Sequence, residues 1–362
     1  MGGRLLPEGQ VNERLADVMR QAAMSNKALA RAVRDLSGGQ INCDHTSVSR
    51  WLAGTNPRPQ TSRLIATALG GKLGRAVSLE EVGLGHADAP DASLGTEFGE
   101  NPSAAVGTLG RLWRADLDEV RSVLTAPLDN SAWADAALNW LVRTESDPAT
   151  TQADRVRVGR SDVEALRTTV EMFAQLDNRF GGAHARRALI QFLRTDASPL
   201  LEASFTEATG RDLFSAAAEG TLLAAWMSYD AGIHGLAQRY FIQALRLAKA
   251  GDDILLAGSI LDAMSHQATF LGRHREAANL ARAARTGTQG KGTATLTAHF
   301  HAMEARALAA GGDGRGAQRA LSDAVSVFER RKPGSDPGWI SYFDDAELAR
   351  IQPLLPGPPA KR

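Results

Sequence analysis

Ala231-Gly232-Ile233-His234-Gly235-Leu236-Ala237, Leu271-Gly272-Arg273-His274-Arg275-Glu276-Ala277 and Gly311-Gly312-Asp313-Gly314-Arg315-Gly316-Ala317 are three copies of one phrase, set 40 residues apart. Around each final alanine the register continues. Four residues on stand Phe241, Ala281 and Leu321, and seven residues on stand Ala244, Ala284 and Ala324. Small and apolar residues at helical spacing, with a glycine ahead of them, describe a helix–turn–helix hairpin copied three times. One hairpin cannot bury its apolar face alone, so the copies are expected to stack into a solenoid.

Within each copy, Ala225, Ser265 and Ala305 are the small residues expected where the first helix meets the second. The face turned away from that contact carries Leu222, Trp226, Tyr229 and Asp230, then Asp262, His266, Thr269 and Phe270, then His299, Ala302 and Arg306. Of these, Trp226, Tyr229, Asp230, Asp262, His266, Phe270 and Arg306 are the candidate ligand residues, because aromatic, acidic and basic groups on one wall suit a peptide or a small polar molecule. The plainer alternative makes Trp226 and Phe270 packed core and leaves the polar groups solvated. His234 and His274 occupy equivalent positions and read as packed rings, while His299 and His301, two apart on a helix, face different ways and cannot chelate one ion together. No metal and no cofactor are expected.

Outward from the repeats, helical spacing continues upstream through Leu109–Leu124, Trp133–Val142, Val163–Leu176, Ala183–Leu193 and Leu200–Ala208, with an ambiguous polar stretch from Pro148 to Val158. Downstream, Trp339, Ile340, Tyr342, Phe343 and Leu348 read as an amphipathic cap on the last hairpin, followed by a tail over 353–362. Residues 102–352 thus form one helical domain with its clearest repeats over 215–330, and 85–101, rich in Gly, Ala, Asp and Pro, read as a linker with little to bury.

Residues 1–84 carry a different pattern. Helices are predicted over Val11–Ala23, from Ser25 to Leu36, over His45–Ala53 and across Leu64–Leu69, with a short fifth starting at Ser78. Val48, Trp51 and Leu52 make one apolar stripe on the third helix, leaving His45, Thr46, Ser47, Ser49 and Arg50 outward. Such hydrogen-bonding side chains on an exposed helix face are what a DNA major groove requires, and Asn26, Lys27, Arg58 and Arg63 would flank them at phosphates. From Ser25 to Arg75 eight Lys/Arg stand against two acids, in a chain of 362 residues whose overall formal charge is zero. A basic module on a neutral chain fits a polyanion partner.

One cysteine, Cys43, rules out an internal disulfide. Neither a signal-peptide pattern nor a membrane-spanning run is seen, so the cytoplasm is the expected compartment. Gly287-x-x-x-Gly290-Lys291-Gly292-Thr293 lacks the glycine spacing of a phosphate loop and reads as an inter-repeat loop. Asp344-Asp345 diverge on a helix, and no nucleophile–base arrangement is visible, so no enzyme is expected.

The segments Ser25-Asn26-Lys27-Ala28-Leu29-Ala30 and Asp44-His45-Thr46-Ser47-Val48-Ser49-Arg50-Trp51-Leu52-Ala53-Gly54 resemble the second and recognition helices of phage-repressor-type helix-turn-helix regulators, with Asn26 in place of the usual glutamine and a longer connection, Ser37–Cys43. The three glycine phrases resemble tetratricopeptide repeats, at a longer period than is usual for them. Together with Asp336-Pro337-Gly338-Trp339-Ile340-Ser341-Tyr342-Phe343-Asp344, the chain resembles actinobacterial helix-turn-helix regulators with tetratricopeptide-like C-terminal domains. That resemblance implies an all-α fold, an N-terminal helix-turn-helix bundle followed by a tetratricopeptide-like α-solenoid. It also implies a transcriptional regulator that binds a double-stranded DNA operator as a homodimer and senses a peptide or small-molecule effector or a partner protein. The competing expectation is a tetratricopeptide-type interaction scaffold with a docking N-terminal domain.

Overall fold

Three side chains start the first three helices: Asn12, Ser25 and Asp44 accept the backbone N–H groups of Leu15, Ala28 and Ser47 and so set where α1 (Glu13–Gln21), α2 (Asn26–Leu36) and α3 (His45–Leu52) begin. α4 spans Pro59–Leu73. The structure is a computed structural model and describes residues 11–351, apart from 40, 56, 58, 76, 78, 80, 85–91, 143–156, 181, 333 and 341. It divides into two compact units, one ending at Asp91 and one starting at Ala92.

The first unit is built around Leu15, Val18, Leu29, Val33, Val48, Trp51, Ile65 and Leu69, with Val82 and Leu84 closing it. Asn12 ties that closure to α1, since its Nδ2 donates to the carbonyls of Val82 and Gly83 at 3.1 and 3.2 Å. Two sequence expectations shift here. Val11 lies outside α1 and is 60% exposed, because Asn12 is the cap; Ala53 caps α3 rather than extending it. The long connection after α2 is not slack: it seats Cys43 in the core and Ile41 against it, and Arg34 Nη2 donates to the Cys43 carbonyl at 2.7 Å. The tail, the segment 143–156 and the stretch 85–91 lie outside the described residues; of the short helix expected from Ser78, Ser78 and Glu80 lie outside them too, while Leu79 and 81–83 form turns rather than a helix.

The second unit contains α5 (Pro102–Leu117), α6 (Arg121–Leu124), α7 (Asn130–Leu141), α8 (Arg160–Phe180) and α9 (Gly182–Phe192), which runs through a π turn (Leu193–Ala197) into α10 (Ser198–Leu201). Pro199, with no N–H to give, is where the helix changes register. The helix expected over Leu200–Ala208 is broken after Leu201. The chain leaves α10 at Glu202 and restarts at α11 (Glu207–Asp230) on the Thr206 cap. Three hairpins follow: α11 with α12 (His234–Ala250), α13 (Ile254–Phe270) with α14 (His274–Gly287), and α15 (Ala294–Ala310) with α16 (Gly314–Phe328). Each packs on the next, α12 against α13 and α14 against α15. A short α17 (Asp345–Ile351) follows and packs on α15.

The three hairpin turns are superimposable in their bonding. Gly232, Gly272 and Gly312 have φ of +75°, +74° and +84°. The residue after each donates to the carbonyl five back: Ile233 to Ser228, Arg273 to Ala268, Asp313 to Leu308. Only glycine takes that φ without strain. Ala225, Ser265 and Ala305 are fully buried at the hairpin contact, and Ser265 Oγ donates to the Ala277 carbonyl at 2.8 Å. Among the described residues the only extended pairing is an isolated bridge between Arg157 and Ser204, and the fold is all-α.

α12 is the centre of this unit, buried on all sides from Gly235 to Ala248. Its polar residues reach the segment expected to be a linker: Arg239 donates to the Ala92 carbonyl, Gln243 to Gly95 and Glu97 at 3.0 and 2.8 Å, and Arg246 Nε to Gly99 at 2.6 Å. Leu94 is buried with them, and Phe98 lies under Arg246 and Lys249. Residues 92–101 are thus a packed strap, not a linker, because they satisfy donors that α12 could not otherwise bury. Among the described residues, no helix is long and apolar enough to cross a membrane.

Candidate functional sites

Two places bring together the residues singled out in the sequence. The first is the outer face of α2 and α3. Asp44 organises its start: Oδ1 accepts the Ser47 N–H and hydroxyl at 2.8 and 2.9 Å, and Oδ2 accepts the Thr46 hydroxyl at 2.5 Å. The Thr46 hydroxyl, then the Ser47 N–H and hydroxyl, hold the Asp44 carboxyl well below the usual carboxylate range. Asn26 Nδ2 donates to Ser49 Oγ at 3.1 Å, locking α2 to α3, while Ser49 Oγ donates to the His45 carbonyl at 3.0 Å.

These bonds sort the expected DNA-facing residues. Thr46, Ser47, Asn26 and Ser49 have hydrogen-bonding capacity committed inside the unit. Lys27 and His45 are exposed and their side chains make no hydrogen bond among the described residues, and exposed Arg50 has one long contact, 3.5 Å to Ser47 Oγ. Arg31 and Lys72 are exposed on the same unit. Arg58 and the side chain of Arg63 lie outside what the structure describes. The sequence reading missed the internal Asn26–Ser49 bond and the structural duty of Arg34; the short polar types at 26 and 49 carry no signal of it.

The second place is a cleft of about 600 Å³ lined by Trp226, Asp262, His266, His299, Met303, Arg306, Tyr342, Glu347, Arg350 and Ile351. Four of the seven expected ligand residues line it: Trp226, Asp262, His266 and Arg306. The other three do not. Tyr229 sits beside it, edge-on to Trp226, His266 and Phe270 with ring centroids 5.7, 5.6 and 5.4 Å away. Phe270 is 62% exposed at the hairpin end, and Asp230 is exposed there too. Both stand at the last turn of their helices, past the end of the cleft, which is why the shared face did not bring them in. His234 packs on Tyr229 and Phe270.

Inside the cleft, α13 and α15 are joined by two histidine contacts. His299 Nδ1 lies 3.0 Å from Asp262 Oδ2, both residues buried, and its ring packs on Phe343 at 4.5 Å. Arg306 Nη1 lies 3.2 Å from His266 Nδ1; a guanidinium only donates, so His266 Nδ1 is the acceptor and its proton sits on Nε2. Burial, then the Arg306 charge, pushes the His266 pKa down. Tyr342 is largely exposed, but its hydroxyl reaches in to 3.5 Å from His299 Nε2. Desolvation of the hydroxyl, then Asp262 and Glu347, push that phenol up. The opposite wall, Tyr342 to Ile351, comes from the segment expected only to cap the hairpins. Its Ile340, Phe343 and Leu348 are buried in the core. The arrangement suits holding a polar ligand against an aromatic floor. Among the described residues no cluster of His, Cys, Asp and Glu could hold a metal ion.

Comparison with known proteins bears on the first unit. Residues 15–85 are similar to the family model described as the SP15 N-terminal domain, a stretch that begins in α1 and runs to the end of that unit's core at Leu84. No curated protein and no solved structure matches the chain.

Proposed function

We propose that this chain is a sequence-specific DNA-binding regulator of transcription, whose helical second unit dimerises and takes up an effector. The observation that carries the reading is the outer face of α2 and α3, where Lys27, His45 and Arg50 stand exposed on a segment with eight Lys/Arg against two acids. In this reading Arg50 and His45 meet base edges in a major groove, and Lys27 meets phosphate. The Asn26–Ser49 bond and the Asp44 cap hold α3 at a fixed angle on α2, which a reading helix needs. One such helix covers few base pairs, so the reading includes a homodimer on a two-fold operator. The resemblance to actinobacterial helix-turn-helix regulators supports it.

The test is binding of the intact chain to duplex DNA as salt is raised. A reader shows a steep linear fall of log K with log salt; a slope for several phosphates is expected. An interaction scaffold shows weak binding with a shallow slope, and that result overturns the reading.

A further inference from the structure

The cleft lined by α11, α13, α15 and α17 contains two opposite charges whose hydrogen-bonding capacity is not filled. Asp262 is 6% exposed; its Oδ2 is taken by His299, while Oδ1, also buried, has no hydrogen-bond partner among the described residues. A buried carboxylate oxygen without a donor is costly, and Asp262 is one of the residues that line the cleft. At the other end, Arg306 is half-buried and gives one N–H to His266; no carboxylate among the described residues pairs with it. Glu347 and Arg350 at the rim are already paired with each other at 2.9 Å, so they leave the inner two charges unanswered. Between the ends lie Trp226, with its ring edge-on to His266 at 5.5 Å, and the side chain of Met303.

We propose that the cleft binds a small zwitterion, with a primary ammonium on Asp262 Oδ1, a carboxylate on Arg306 and an apolar middle against Trp226 and Met303. This rests on the reading of the second unit as an effector-binding module and names the chemistry of the effector. Spacing sets the length. Asp262 and His266 are one turn apart on α13, and their partners His299 and Arg306 two turns apart on α15, so the two charges of the ligand lie about 6–10 Å apart at 1.5 Å rise per residue. An α-amino acid, whose two charges share one carbon, is too short; a chain with several methylenes between them fits. The size of the cleft is in the range of small-molecule sites.

The experiment is calorimetric titration of the full chain, without DNA, using 6-aminohexanoate, hexylamine, hexanoate and glycine. 6-Aminohexanoate is expected to bind at least tenfold tighter than either singly charged analogue, and glycine not to compete with it. Asp262→Asn is expected to bring 6-aminohexanoate down to the affinity of hexanoate, and Arg306→Gln to bring it down to that of hexylamine. Equal binding of the zwitterion and its singly charged analogues overturns the proposal, as does no binding of 6-aminohexanoate to the folded wild-type chain. If Asp262→Asn fails to fold, the wild-type ligand series and Arg306→Gln decide alone. DNA affinity measured on the same samples keeps the two readings apart: ligand binding without DNA binding sinks only the regulator, and DNA binding without ligand binding sinks only this proposal.

Discussion

Arg239, from the middle of α12, donates to the carbonyl of Ala92, 147 residues earlier in the chain. With Gln243 and Arg246 it makes the strap 92–101 part of the second unit. A fragment starting at Ala92 is expected to fold as a cooperative unit. One starting at Pro102 removes the acceptors at Ala92, Gly95, Glu97 and Gly99 and uncovers the site of Leu94, and is expected to be less stable by at least about 3 kcal/mol, at about 1–3 kcal/mol for each buried hydrogen bond lost. Urea unfolding of the two fragments checks this, and equal midpoints would return 92–101 to the status of a linker.

Asp116 is a second anchor on α12. Its carboxylate takes two bonds from Arg186 Nη1, at 2.9 and 2.7 Å, and the Tyr240 hydroxyl at 2.7 Å. Tyr240→Phe is expected to cost about 1–2 kcal/mol, the range for one buried hydrogen bond to a charged group. Asp116→Ala leaves Arg186 facing no charge and is expected to cost about 3–5 kcal/mol. Chemical denaturation of both variants measures the ratio; a Tyr240→Phe loss as large as that of Asp116→Ala would mean that the phenol hydroxyl, not the ion pair with Arg186, carries the contact.

Ala23 ends α1 with φ +51°, a left-handed conformation that only glycine takes freely. Ala23→Gly is expected to stabilise the first unit by about 0.5–1 kcal/mol, seen as a higher melting temperature. A lower one would show that the unfolded-chain entropy of glycine outweighs the strain.

The second unit is expected to lose stability below about pH 6.5, the ordinary histidine value. Burial, then Arg306, lowers His266, which also faces Asp262 and His299; burial, then Arg285, lowers His301, which also faces Asp323 and Glu304. In the window between each lowered folded value and 6.5, the unfolded chain binds a proton that the folded chain refuses, so stability is fully present above the window and declines as pH falls through it. Melting from pH 7.5 to 5 should show the decline, and His266→Gln, which cannot take up that proton, should reduce its slope. An unchanged slope would remove His266 as a source.

The hairpins were legible because their signals are local. A glycine that must take positive φ recurs at Gly232, Gly272 and Gly312, and the small residues Ala225, Ser265 and Ala305 fall at the helix contact that their spacing demands. The start of α3 was legible for the same reason, since Asp44 caps a helix three residues ahead of its bonded N–H. What stayed hidden depends on partners far away in sequence. Gln238, Arg239, Gln243 and Arg246 are covered by 92–101 and Asp129, and no local pattern on their helix announces it. Half the cleft was legible from α11, α13 and α15, because one helix face repeats every turn. The wall from Tyr342 to Ile351 was not, because nothing in its composition says that it folds back over α15.

On the face proposed to read DNA, Arg50→Ala is expected to cost about 1–3 kcal/mol on a preferred duplex and little on random DNA, the signature of a base contact. Lys27→Ala is expected to weaken both alike and flatten the salt slope by about one. Ser49→Ala removes the acceptor of Asn26 and is expected to lower affinity on both without shifting the preferred sequence. Fluorescence anisotropy on the two duplexes separates the three patterns, and equal Arg50→Ala losses on both would take Arg50 out of the readout.

The central claim is that this chain reads DNA sequence through α3, and selection of bound duplexes from a random library by the intact protein tests it most directly. One enriched two-fold motif is expected, with half-sites about one or two helical turns apart and at least one position in each half lost to the Arg50→Ala variant. A bound pool whose sequences are no different from the starting library, or a motif that Arg50→Ala leaves unchanged at every position, would contradict it.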